Sequence, residues 1–242
     1  MLAACRTAAR CLLATAALLC GCMGLDDERD DRDDRYEVVY EQACAEATCA
    51  DDFAFSDPEA WRMHPGPQGP ALELRGKSAY RPPHRSPLSI ALIEGVEVRD
   101  FDLEVDLLQT GRNYGHRDLC LFFGFQSPSR FYYTHLATSP DANAHNIFLV
   151  NDAPRSNLVP PVAEGIEWGR DAWHHVRIER RVDAGTIKVF WNDDDAPVLT
   201  ATDTTIGWGR VGFGSFDDSG LVKNVVLRAP AARSTAGDPF RD

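Results

Sequence analysis

The segment 130–155, RFYYTHLATSPDANAHNIFLVNDAPR, concentrates side chains that could do chemistry. Tyr133 and His135 are two residues apart, the spacing that sends two side chains to one side of a β-strand. His145 and Asn151 share a parity on the next run, Asn143, Asp152 and Arg155 sit where runs end, and Arg130 heads the first. An aromatic ring, imidazoles and amides gathered on one sheet surface suit a sugar, the ring for stacking and the polar groups for its hydroxyls. A lyase could use the same set, with Tyr and His moving protons while an amide or Arg155 neutralises an acidic sugar's carboxylate. The plain alternative is that these are half-buried sheet residues with satisfied hydrogen bonds. Elsewhere, Asp217-Asp218 and Asp193-Asp194-Asp195 offer hard oxygen ligands, although turns favour aspartate for local reasons. His174 and His175 are adjacent, and adjacent strand residues point to opposite faces, so they cannot chelate together. No Cys/His zinc spacing, Gly-x-Ser-x-Gly elbow or phosphate loop occurs.

The elements that position these groups are strands. From Phe53 to about Arg228 the pattern is period two in short runs broken by Gly, Pro, Asn and Asp, with no convincing helical period. Phe101, Leu103, Val105 and Leu107 alternate with Asp102, Glu104 and Asp106, which predicts one face in a core and one in water. Residues 119–125 are apolar on both faces, as a central strand requires. NDDDAP between 186–192 and 198–201, and DDSG between 210–216 and 221–227, predict two hairpins. About a dozen such strands predict an all-β chain, a two-sheet antiparallel β-sandwich of jelly-roll type with one concave, wet sheet. The expected divisions are a signal peptide at 1–21, a lipidated N-terminus, acidic spacer and lead-in at 22–52, the sandwich at 53–228 and a flexible tail at 229–242.

The string Trp173-His174-His175-Val176-Arg177-Ile178, with Gly185 to Phe190 and Gly212-Phe213-Gly214-Ser215-Phe216, resembles the C-terminal half of concanavalin A-like lectin/glucanase domains. That superfamily includes laminin-G-like modules and the bacterial 3-keto-disaccharide hydrolase-like domain common in exported lipoproteins. Its sharpest pieces are packing motifs, so the resemblance implies a fold and a leaning towards glycans and leaves the reaction open. It draws attention to Glu104-Val105-Asp106, because family 16 glycoside hydrolases of this fold carry Glu-x-Asp followed by a second Glu. Leu108 or Gln109 stands at that second place, and an amide cannot deliver a proton as a carboxylic acid does. Asp102, Glu104 and Asp106 therefore read as the wet face of a strand. The resemblance to laminin-G-like modules also implies a structural Ca2+ at a sandwich edge, for which Asp217 and Asp218 are the candidates; no other cofactor is expected.

The N-terminus speaks to location. Arg6 and Arg10, an apolar stretch from Cys11 to Cys20 and the tetrad Leu19-Cys20-Gly21-Cys22 have the layout of a signal peptide ending in a sequence similar to a bacterial lipobox, with Cys22 the acylated residue. A simple secretory signal or an uncut anchor would share much of this layout. Met23, where aspartate often signals inner-membrane retention, points to the outer membrane. Removing residues 1–21 deletes two arginines and no acid, leaving 23 basic against 37 acidic groups. Such a surface on balance repels a phosphate backbone, which argues against nucleic acid as a partner. The tract DDERDDRDDR at 26–35 has nothing to bury and reads as a solvated spacer. Cys44 and Cys49 form a natural pair in an oxidising compartment, and Cys120 lies in an apolar run as a small buried hydrophobe. The leading expectation is thus an exported, lipid-anchored carbohydrate-binding module of the cell envelope, with a glycan partner, membrane contact through the lipid alone and its oligomeric state left open. An enzyme of the same fold acting through 130–155 is the alternative. A laminin-G-like protein-binding module is favoured if Tyr133, His135 and His145 are buried instead of lining an open groove.

Overall fold

A computed structural model describes residues 35–66, 68–192 and 194–241. The signal peptide, Cys22 and most of the acidic tract lie outside the described residues. In chain order the first strands are β1 (Glu37–Gln42), β2 (Phe53–Phe55), β3 (Trp61–His64), β4 (Ala71–Arg75), β5 (Ser89–Ile93) and β6 (Val96–Val98). The centre of the chain supplies β7 (Phe101–Gln109), β8 (Leu119–Ser127), β9 (Arg130–Leu136), β10 (Asn146–Asn151), β11 (Ser156–Asn157) and β12 (Trp173–Arg181). The remainder supplies β13 (Thr186–Trp191), β14 (Leu199–Thr202), β15 (Arg210–Ser215), β16 (Ser219–Ala229) and β17 (Ala232–Ser234).

These strands form two large antiparallel sheets. One runs β14-β13-β12-β7-β16-β4-β3, with β1 also on β16, and the other runs β11-β10-β9-β8-β15-β5-β2. Alternation dictates how they face each other. Leu103, Val105 and Leu107 of β7 and Val176 and Ile178 of β12 point inward to meet Leu121, Phe123, Tyr132, Ile147 and Phe213 of the opposite sheet. The run 119–125 is apolar on both sides because β8 is central and covered twice: Cys120, Phe122 and Phe125 belong to a separate outer layer with Phe131, Tyr133, Phe148 and Val150. This jelly-roll sandwich therefore has a core between its sheets and a second apolar layer outside the seven-stranded one.

Three expectations need correction. The segment DDSG does not close a hairpin, because β15 pairs with β5 and β8 in one sheet while β16 pairs with β7, β4 and β1 in the other. Period-two patterning marks both strands yet carries no information on whether the next strand pairs or crosses over. Over its described residues, 229–241, the expected tail is not loose: β17 pairs with β6, Arg210 donates to the Gly237 carbonyl (2.9 Å), and Phe240 packs edge-on against Tyr80 and Phe125 at 5.7 and 5.5 Å. A single anchoring ring has no period for sequence reasoning to detect. The lead-in likewise joins the sandwich, with β1 as a strand and Cys44 and Cys49 buried and joined in a disulfide (Cα–Cα 4.9 Å). Cys120 is a buried free thiol.

Candidate functional site

Strand register decides which of the expected site residues can meet. In the β9–β10 pair, Tyr133 faces Phe148, His135 faces Asn146 and Arg130 faces Asn151. Arg130, Asn151 and Asp152 therefore lie about five residues, or roughly 16 Å of strand, from His135. There Arg130 approaches Asp152 at 3.8 Å and Ser129 donates to the same carboxylate at 2.7 Å, a local turn arrangement remote from the other candidates. At the near end Tyr133, Asn143 and Arg155 come together. Arg155 lies over the Phe148 ring at 4.3 Å, donates to the Tyr133 hydroxyl and reaches Asn143 Oδ1 at 3.0 Å.

His145 is not on the predicted strand face. It precedes β10 with φ at 52°, a left-handed turn conformation, and its N–H donates to Nδ1 of His135 at 3.4 Å. Tyr133, His135 and His145 are 0, 5 and 1% exposed, so the three form a buried floor and do not converge on one open groove, while His145 alone of them backs a separate pocket with Asp141, Asn146 and Asn157. Burial, then the charges of Arg155 and His116, press the His135 pKa down to about 3. Burial presses His145 to about 4 and raises the Tyr133 hydroxyl even though Arg155 donates to it. Since Nδ1 of His135 accepts a hydrogen bond, its single proton is on Nε2, 3.5 Å from Asp118 Oδ2. That contact joins a neutral imidazole to a carboxyl and is not an ion pair at neutral pH.

Beyond His135 lies a buried polar knot that sequence reasoning missed. Asp118 accepts from Ser215 Oγ (2.6 Å) and Cys120 Sγ (2.9 Å), while Asp218 accepts from the Tyr114 hydroxyl (2.7 Å) and the Asp118 N–H (2.9 Å). Burial raises both carboxyls above the ordinary aspartate range. The knot exists because residues 216–218 cross between sheets and turn Asp218 inward, leaving Asp217 exposed. Asp217 and Asp218 therefore do not form a chelating pair, and among the described residues no group of three or more His, Cys, Asp or Glu side chains is placed to hold a metal ion. A retaining glycosidase needs two carboxyls flanking an open bond, whereas Asp118 and Asp218 are 1 and 7% exposed.

Glu104 and Asp106 point outward from the eight-stranded sheet, where each has a cross-strand partner. Arg228 reaches Glu104 at 2.9 Å, and His175 and Asn224 reach Asp106 at 2.9 and 2.7 Å. Asp102 is bonded by Arg181 at 2.7 Å. This is the wet face of an alternating strand.

Among several clefts of similar size, one opens at the end of the seven-stranded sheet beside the floor of Tyr133 and His135, lined by Arg81, His84, Arg85, Leu88, Phe216 and Asp217, with a volume of about 420 Å³. Phe216 follows β15, whose Gly212 and Gly214 lie so close to β5 that an added Cβ would come within 1.9 Å of Ala91 and Ser89 carbonyl oxygens. The half-buried Phe216 ring rests on His135 (5.6 Å) and Tyr133 (6.1 Å), with the Arg155 guanidinium 5.3 Å away. The floor expected to bind thus supports the residue that borders the opening. The missed signal was RPPHRSP at 81–87, two arginines and a histidine spaced by prolines that hold a loop.

No protein-family model matches the chain, and no curated protein matches it. Among solved structures it is similar to carbohydrate binding module CBM66 from Bacillus subtilis, at 16% identity and TM-score 0.52, covering 74% of this chain and 96% of the module. A B. subtilis protein with a galectin-like fold matches at 11% identity and TM-score 0.56, over 83% of this chain and all of the other. The acidic lectin of winged bean, solved with methyl-α-D-galactose, matches at 11% identity and TM-score 0.52 with the same coverages. The fold is the concanavalin A-like β-sandwich.

Proposed function

We propose that this chain is a carbohydrate-binding module, exported and held at the outer membrane by a lipid on Cys22. The observation that carries the binding part is the Phe216 cleft, an aromatic ring edge set among guanidinium and imidazole groups at the open end of a sandwich sheet. Its similarity in fold to a bacterial carbohydrate-binding module and a plant lectin supports the same reading. A glycan array probed with the full chain, followed by titration of the glycans retained, tests it. Phe216→Leu keeps the apolar packing on Tyr133 and His135 but removes the π face, and weakens binding by about three- to tenfold. Retention of no glycan, or affinities unchanged in Phe216→Leu, refutes the reading. Anchoring is checked separately: Cys22→Ser moves the protein from the membrane to the soluble fraction, and unchanged partitioning counts against the lipid.

The burial of Tyr133, His135 and His145 favours a second reading, a laminin-G-like module that binds protein. It predicts an empty glycan array together with saturable binding to an envelope or surface protein.

A further inference from the structure

Strand register places one set of loops at a single end of the sandwich. Arg75 closes β4 opposite Ser219, Gln109 closes β7 opposite Gly220, and Ser215 closes β15 opposite Ser89. Arg75, Lys77 and Arg112 line a cleft of about 390 Å³ on one side of residues 216–218, and Arg81 and Arg85 line the 420 Å³ cleft on the other. Arg155 reaches the same end through Asn143. Six cations thus gather on a chain whose net charge is −12.

Their clustering without carboxylate partners among the described residues contrasts with the ion-paired arginines elsewhere on the surface. Arg62, Arg99, Arg130, Arg177, Arg181 and Arg228 are each bridged to an aspartate or glutamate. Among the described residues, none of the six cations at this end is in an ion pair with a carboxylate. Arg85 and Arg155 instead both donate to one neutral oxygen, Oδ1 of Asn143, at 3.5 and 3.0 Å. Two guanidinium groups held on a neutral acceptor repel each other, and an arriving anion relieves that repulsion. The exposed carboxylate lining both clefts is Asp217, which suits sugar hydroxyls as an acceptor.

We infer that the ligand of this end is an acidic glycan whose uronate carboxylate is clamped by Arg85 and its neighbours while a sugar ring lies against Phe216. The inference rests on the carbohydrate reading above. A guanidinium presents parallel N–H donors that match the two oxygens of a carboxylate, and an aromatic edge beside such a fork selects a charged group carried on a ring. Charges beyond about 8 Å are screened at physiological ionic strength, so the acidic surface elsewhere does not cancel attraction within the clefts.

The test is titration of the full chain with galacturonate, glucuronate and mannuronate oligosaccharides and with the same oligosaccharides methyl-esterified, which keeps the ring and removes the charge. At least one acid form should bind tenfold or more tightly than its ester and weaken as salt is raised. Arg85→Gln and Arg81→Gln, both at exposed positions, should each reduce affinity for the acid form by about tenfold with the melting temperature unchanged. Equal affinity for acid and ester, or binding confined to neutral or sulfated glycans on the array, overturns the uronate assignment and leaves the carbohydrate reading standing. An array that retains no glycan of any charge overturns both.

Discussion

The outer faces of the two sheets follow opposite rules. On the eight-stranded sheet, β7, β12 and β16 carry a ladder in which each acid meets a cross-strand base: Asp102 with Arg181, Glu104 with Arg228, and Asp106 with His175. On the seven-stranded sheet the corresponding surface is aromatic, with Tyr133 stacked on Phe148 at 5.0 Å and Phe125 on Phe131 at 5.0 Å under the cover of Phe240 and Arg155. The first face pairs its β7 carboxylates internally. The second is sealed along its length and opens at the end where its covering arginines lack carboxylates. A face dense in paired charges thus contrasts with an end where, among the described residues, several arginines gather without carboxylate partners.

That contrast breaks most readily at Tyr133. Truncation to alanine removes a fully buried ring from the stack and should cost about 3–5 kcal/mol, read as a fall in the denaturant midpoint. A variant of native stability with lost glycan affinity would show instead that the outer layer is a binding surface.

Acid sharpens the contrast next. Because His135 and His145 fall from an ordinary 6.5 to about 3 and about 4 on folding, the unfolded chain takes up protons that the folded chain refuses. Their contribution is present above the unfolded value of 6.5 and is lost as pH falls through about 4 for His145 and about 3 for His135, at up to about 2.7 kcal/mol per pH unit for two groups. Asp118 and Asp218 act in the other direction. Their raised pKa values give stability that is present below the ordinary aspartate value of 3.8 and lost as pH rises through the folded value. His135→Leu should therefore reduce the steepness of the acid limb between pH 6 and 4 by about one proton, measured from denaturation midpoints across that range. An acid limb as steep as the parent's would contradict a buried neutral imidazole.

The smallest effect belongs to the ladder. Glu104→Gln leaves Arg228 near water, and should change stability by less than about 1 kcal/mol and glycan binding not at all. A loss of binding in this variant would move the site to the eight-stranded sheet and return Glu104 and Asp106 to candidacy as working carboxylates.

Most of the architecture was legible in the residues. The alternation of β7 and β12, the doubly apolar β8 and the turn after β13 predicted an all-β sandwich, because inward and outward side chains must alternate wherever one face is dry. The pairing of Glu104 and Asp106 was foreshadowed by the absence of a second glutamate at Leu108 or Gln109. The site was legible only in outline. Tyr133, Asn143 and Arg155 do converge, but Phe216 and the arginines of 81–85 come from distant parts of the chain and meet them only across the sheet.

By itself the sequence determined the strands and their faces, since these follow from a two-residue repeat that each segment carries alone. Only the tertiary structure decided that β15 and β16 part into different sheets, that Asp218 turns inward to Asp118, and that Phe240 returns to seal the aromatic layer. Those outcomes depend on contacts between residues about 100 or more positions apart. Their stabilisation comes from burial shared between segments, and no local pattern records which segments will share it.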